Sequence, residues 1–155
     1  MRPEVPKGKY FEELNVGDKW VSESRIITAA EISNYAGVGG DFYEIHLNDE
    51  YAQEQGFKSR IFHGLGTITV TGGFLYQALP LQQVIIAHLG GSYKLTNPVY
   101  VGDTLYDEIE LVGKRESKSR KDGGIVTFRN LVKNQRGETV LEYDLSFLWR
   151  KKPKN

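Results

Sequence analysis

The sequence predicts an α+β fold in which an antiparallel sheet packs on one central helix. Three observations predict it. The second half carries strand-length apolar runs at regular spacing, with polar loops between them. The segment 64–79 steps its apolar positions by three and four, as a helix does. One strand and short helical stretches come first and a meander follows. A chain of 155 residues can bury a proper core, so a single domain over 1–155 is expected, with its ordered part at about 10–150.

The ends, "MRPEVPKGK" and "RKKPKN", are expected to fray. "DKWVSESRIIT" reads as a first strand and "TAAEISNYAG" as a helix. Thr28 and Glu31 have capping-box spacing, and Ile27 and Ile32 sit at the staple positions beside them. Gly37, Gly39 and Gly40 end that helix. "GGDFYEIHLN" follows as loop. "NDEYAQEQG" is a short helix capped by Asn48 or Asp49 and stopped at Gly56.

"HGLGTITVTGGFLYQALP" supports two readings. Leu65, Ile68, Gly72, Leu75 and Leu79 argue a helix, while the β-branched "TITVT" argues a strand. Its four glycines weaken both. A buried helix ending before Pro80 is preferred, its small residues letting a sheet wrap closely. "QQVIIAHL" is an apolar strand run. "TLYDEIELV", "GIVTFRNLV" and "ETVLEYDLSFLW" are strands, joined by hairpin loops at "SKSRKDGG" and "NQRG". In the last strand Leu141, Tyr143, Leu145, Phe147 and Trp149 share one face, as in a half-buried antiparallel strand.

Composition narrows the function. Zero cysteines exclude a disulfide framework, a thiolate metal site and a cysteine nucleophile. Twenty basic and twenty acidic side chains cancel, so no overall charge points to nucleic acid or to an anionic membrane. No apolar run reaches membrane-span length, and the N-terminal stretch has no apolar core of a secretory signal. A cytoplasmic protein is expected. The loop "GKRESKSRKDGG" carries five Lys/Arg against two acids and reads as a solvated hairpin tip.

The candidate chemistry sits in two stretches. Asp41 and His46 pair a carboxylate with a group that titrates near neutrality, and together they can hold one water and share its protons. The D-x4-H spacing alone favours a plainer reading, a turn capped by Asp41 with His46 in solvent. In "RIFHGLG", a helix starting near Gly64 leaves its first N–H groups unpaired at the positive end of the helix dipole. Such an N–H can polarise a carbonyl oxygen, and glycine lets a substrate approach. The plainer reading is tight packing. His63 either lines the pocket or orients the helix start, and His88, in an apolar run, reads as a core histidine. A metal site from Asp41, His46 and His63 lacks further ligands and a tight motif, so no metal is expected.

Together these pieces resemble the MaoC-like (R)-specific enoyl-CoA hydratases. "YAGVGGDFYEIHLNDEYAQEQGFKSRIFHG" resembles the family's Asp-x4-His motif, small helix and His-Gly segment. "FEELNVGDKW" resembles the family's opening, and "NPVYVGDTL" its P-V-x-x-G-D turn. The likeness runs from about Tyr10 to Leu148. It implies a hot-dog fold: a long central helix wrapped by a curved antiparallel sheet. It implies (R)-specific hydration of a trans-2-enoyl-CoA to a (3R)-hydroxyacyl-CoA, or the reverse dehydration, by a water held between Asp41 and His46. The Gly64 N–H would hold the thioester oxygen, Tyr43 and His63 would line the site, and no cofactor is required. The substrate would be an acyl-CoA thioester, or its acyl-carrier protein equivalent, and the assembly a homodimer. Two other functions fit the same residues, an acyl-CoA thioesterase and a non-catalytic acyl-CoA or acyl-carrier binding protein. The chain departs from the family where Tyr43 and Glu44 replace its Asn-Pro and where Gly72 aligns with a frequent serine. Glu44 is expected to raise the pKa of His46 if the two are close.

Overall fold

A computed structural model describes residues 8–153. Two short strands, β1 (Lys19–Val21) and β2 (Arg25–Ile26), precede four helices: α1 (Ala29–Gly39), α2 (Glu44–Leu47), α3 (Asp49–Glu54) and α4 (Gly64–Ala78). Four long strands follow, β3 (Ile85–Leu95), β4 (Thr104–Glu116), β5 (Gly123–Lys133) and β6 (Thr139–Arg150). They form a six-stranded antiparallel sheet in the order β1-β4-β5-β6-β3, with β2 also on β4. The inner faces of β4, β5 and β6 meet Val70, Phe74 and Leu75 of α4 in one apolar core. This is the expected α+β, hot-dog arrangement.

The alternation read for the last strand is realised, and β4 and β5 alternate in the same way. Leu105, Ile109 and Leu111 of β4 and Val126, Phe128 and Val132 of β5 point inward. On β6, Leu141, Tyr143, Phe147 and Trp149 are buried and Leu145 is half-buried. Each large apolar side chain buried this way contributes ~1.5–3 kcal/mol. The loops at 117–122 and 134–138 are the expected hairpin connections, with Gly137 at φ 76° in the second.

Several local expectations need correction. The single first strand is split into β1 and β2. Between the Val21–Glu108 and Arg25–Leu105 pairs this strand has three residues and β4 has two. Ser22 lies in that bulge and stands in for the ladder. Its hydroxyl accepts the Asp107 N–H at 2.9 Å, and its own N–H donates to the Asp107 carbonyl at 3.0 Å. The segment 39–48 is not all loop. A carboxylate oxygen of Asp41 accepts the Tyr43 N–H at 3.3 Å and turns the chain into α2, which carries His46. The ends are pinned where they are described. Gly8 donates to Gln82, the Trp149 indole donates to Lys9, and Lys152 pairs with Glu13. The rest of the segments expected to fray, 1–7 and 154–155, lies outside the described residues.

α1 follows its sequence signals. Glu31 reaches back to the Thr28 N–H at 2.9 Å, and Ile27 and Ile32 are buried beside it. Gly40 ends the helix in the left-handed region, φ 72°, and its N–H closes on Ala36 at 2.8 Å. Asn48 is the cap of α3, accepting from Glu50 and Tyr51. The glycines of α4 serve a different approach from the one expected. A methyl group on Gly66 would come within 2.7 Å of the Phe62 ring and 3.2 Å of Tyr35, whereas Gly72 and Gly73 face open space. Gly66 admits α1 and the 61–63 segment, and Gly64 meets Leu95 of edge strand β3.

The "NPVYVGD" turn joins these parts. The Phe62 N–H donates to Val99 at 2.7 Å, Gly102 donates to Ile27 at 2.7 Å, and Ile27 donates to Asp103 at 2.8 Å. Buried Asp103 is held by Gln135 and Arg136 from the β5–β6 hairpin. The turn thus fixes the start of α1 and the approach to α4 against the sheet. Among the described residues no helix is long and apolar enough to cross a membrane.

Candidate active site

Asp41, His46, His63 and Gly64 come together where the α1–α2 loop, α2 and the start of α4 meet. His46 is held by two bonds between α2 and residue 61. The Ile61 N–H donates to Ile45 at 3.1 Å, and His46 Nδ1 lies 2.8 Å from the Ile61 carbonyl oxygen. A carbonyl only accepts, so Nδ1 carries the proton and Nε2 presents a lone pair.

That lone pair faces Asp41, with Nε2 3.9 Å from Oδ2. The separation exceeds a direct hydrogen bond and suits a shared water. An oxygen ~2.8 Å from both atoms would see them at an angle of about 90°. The His46 side chain is largely buried and the Asp41 side chain about half exposed, so the pair opens to solvent on the carboxylate side. The plainer reading of Asp41 also holds in part, since Oδ1 caps the turn at Tyr43.

His46 titrates below its ordinary 6.5. Burial is the largest cause; the bond to Ile61 opposes it, His63 adds to it and Asp41 opposes it. The direction is opposite to that expected from Glu44. A lowered value keeps Nε2 unprotonated, the form a base needs.

His63 is buried, 2% exposed, and does not line an open pocket. Its Nε2 lies 2.9 Å from the Asp41 carbonyl and its ring stacks on His46, with centroids 3.8 Å apart and planes at 26°. The three residues offer ligand atoms within 4.8 Å of one another, but Nδ1 of His46 and Nε2 of His63 are each already on a backbone carbonyl.

Gly64 opens α4, and its N–H has no partner within the helix. It borders a cleft of about 260 Å³ lined by Phe57, Ile61, Thr67, Leu95 and Pro98 among others. A second groove, about 550 Å³, runs between α1 and α4 past Tyr35, Val38, Gly66 and Gly73. Tyr43 caps α2, half exposed; its phenol meets that of Tyr51 at 2.8 Å, and its ring stands edge-on to His46 with centroids 6.4 Å apart. Gly72 faces outward on α4.

His88 is exposed on edge strand β3, tilted against Phe147 at 5.1 Å, and is not a core histidine. Sequence reasoning also missed the Ile61 and Asp41 carbonyls, which orient the two rings and which carry no residue-type signal. It missed buried Asp107, although the alternation of "TLYDEIELV" places it on the inward face with Leu105 and Ile109.

Comparison with known proteins places the chain among relatives. A family model described as MaoC like domain matches residues 13–133. The chain is 35% identical to an (R)-specific enoyl-CoA hydratase of Aeromonas caviae over 69% of its own length and 78% of that protein's. It is 32% identical to Protein MaoC of Klebsiella aerogenes over 72% of its own length, and spans about a third (32%) of that relative. A crystal structure of a MaoC-like dehydratase from Rhodospirillum rubrum is similar at a TM-score of 0.84 and 33% identity, covering 95% of this chain and 100% of that one.

Proposed function

The chain belongs to the MaoC-like domain family, and from that premise we propose that it is an (R)-specific hydro-lyase, adding water to a trans-2-enoyl thioester or removing it from a (3R)-hydroxyacyl thioester. The observation that carries the reading is the 3.9 Å gap between His46 Nε2 and Asp41 Oδ2, with Nε2 left as a lone pair by the Ile61 carbonyl. In the hydration direction a water in that gap gives a proton to Nε2 while Asp41 accepts its other O–H. The water oxygen bonds to C3, the C2–C3 π pair moves towards the thioester, and the oxygen gains enolate charge. The Gly64 N–H, at the positive end of α4, is the donor for that oxygen; losing such a donor costs ~10²–10³ in rate. The enolate then takes the proton at C2, which returns the pair to its starting state. The reverse sequence dehydrates.

The sheet and α4 share one core across the described residues, which supports one domain. The exposed apolar side chains Leu89, Tyr93 and Leu95 on edge strand β3, with Leu65 and Tyr76 on α4, support a homodimer that covers them.

The test is loss of enoyl-thioester absorbance on adding crotonyl-CoA and longer 2-enoyl-CoAs, followed beside thiol release. Absorbance loss without thiol, abolished by Asp41→Asn, is expected. Thiol release from acyl-CoA would instead make the protein a thioesterase, and binding without either signal would make it a binding protein.

A further inference from the structure

We propose that His63 is a positioning residue: its imidazole fixes the Asp41 backbone and the His46 ring together, and so sets the form in which the pair meets water. The inference rests on reading Asp41 and His46 as the reacting pair. His63 touches each part of the site and is itself too buried to touch substrate. Its Nε2 bonds the Asp41 carbonyl at 2.9 Å, its ring face covers His46 at 3.8 Å, and its own carbonyl accepts the Thr67 N–H at 2.9 Å as α4 begins at Gly64. Tyr35 packs against it at 4.9 Å and Phe62 at 6.1 Å, so the ring has no freedom to turn away.

The bond to a carbonyl makes Nε2 a donor and leaves Nδ1 as the other ring nitrogen. Nδ1 is buried with no partner among the described residues. A lone pair there is tolerated better than an unpaired N–H. Both imidazoles therefore hold one proton, each pinned to a backbone carbonyl: Nδ1–H of His46 on Ile61 and Nε2–H of His63 on Asp41. The ionisable side chains that face His46 are Asp41 from the α1–α2 loop, His63 ahead of α4 and Tyr43 at the start of α2. Of these, His63 disfavours a charge on His46 and Asp41 favours it.

Two variants separate the contributions. His63→Phe keeps a ring on His46 and removes the donor to Asp41. His63→Gln keeps a donor and removes the stack. Misplacing a reacting group by about 1 Å costs ~10²-fold in rate, so a drop of up to about that size is expected in kcat, with KM nearly unchanged.

The deciding measurement is a nitrogen-15 NMR titration of the histidine rings in the folded wild-type protein and in both variants. The wild type is expected to show the proton on Nε2 of His63 and on Nδ1 of His46. In both variants the His46 ring is no longer held, and its proton is expected to be shared between Nδ1 and Nε2. A His63 proton on Nδ1 in the wild type, or a His46 proton that stays wholly on Nδ1 in both variants, overturns the proposal. The wild-type tautomer decides even where a variant does not fold. The measurement needs no turnover, so it is separate from the hydratase reading. A wild type that hydrates no enoyl thioester yet shows these tautomers, single in the wild type and mixed for His46 in the variants, would refute only the activity.

Discussion

A methyl group on Gly64 would run into Cδ1 of Leu95, at the far end of edge strand β3. The first residue of α4 is thus packed against the sheet edge, and both residues line the candidate cleft. Leu95 is half exposed and ends in a flexible side chain, so it can yield. Gly64→Ala is expected to fold with a melting temperature near wild type. Its added carbon would displace the helix start or the thioester, and misplacement near 1 Å costs ~10²-fold in rate. Hydration assays on folded protein check this; wild-type kcat/KM in Gly64→Ala would show that the added carbon displaces neither the helix start nor the thioester.

Asp41→Asn and His46→Ala are each expected to lower hydration by ~10²–10⁴. Because the two hold one water, the double variant is expected to lose little more than either single. Steady-state rates with crotonyl-CoA test it, with circular dichroism confirming the fold. Additive losses would show that the residues do not share a water.

The pH profile follows from His46. Its folded value lies below 6.5, so Nε2 remains a base at pH values where free imidazole is already protonated. The acid limb of kcat/KM is expected below pH 6.5, with activity falling as pH drops through it. A limb at or above 6.5 would mean that burial does not control His46.

Asp41, His46 and the Gly64 helix start were singled out by linked motifs and the family resemblance, since the D-x4-H spacing alone read as a turn, and the fold brings them together. The inward face of β6 was legible from its alternation. What was not legible depends on partners. α2 exists because the Asp41 side chain turns the chain, and α2 then ties itself to residue 61 through Ile45. The split of the first strand depends on Ser22 meeting Asp107 across the sheet. His88 looked like a core residue because its run is apolar, but β3 is an edge strand and leaves that position exposed. Glu44 carried a charge two residues from His46, yet burial governs the ring. His63 could be placed near the helix start from sequence, while its stack on His46 required the fold.

The homodimer reading makes a direct prediction. Leu89 and Tyr76 are 50% and 66% exposed, on β3 and α4. Leu89→Glu with Tyr76→Lys puts charge on that surface, which a dimer interface excludes from its core. Sedimentation is expected to show a dimer for the wild type and a monomer for the double variant. A wild-type monomer at micromolar concentration would leave those side chains without the proposed partner.

Asp107 gives the last prediction, on stability. It is fully buried on the inner face of β4, with the Tyr143 hydroxyl donating to one carboxylate oxygen at 3.3 Å. Its other oxygen, like Oδ1 of nearby Asn130, has no partner among the described residues. Burial raises its pKa from 3.8 to about 7; the Tyr143 bond opposes the shift and Glu108 adds to it. A folded value above the unfolded one means that the folded state holds the proton more tightly. Stability from this group is therefore full below about pH 4, falls as pH rises towards 7 and is flat above. His46 acts in the opposite sense, since its lowered value makes acid destabilising below 6.5. Comparing wild type with Asp107→Asn cancels the His46 effect. The amide cannot ionise and keeps an oxygen for Tyr143. At pH 4 the two proteins are expected to unfold at similar urea concentrations. At pH 8 the variant is expected to be more stable, by up to about 4 kcal/mol from the size of the shift. Urea unfolding at both pH values measures the difference, and a variant no more stable than wild type at pH 8 would show that burial does not raise the Asp107 pKa.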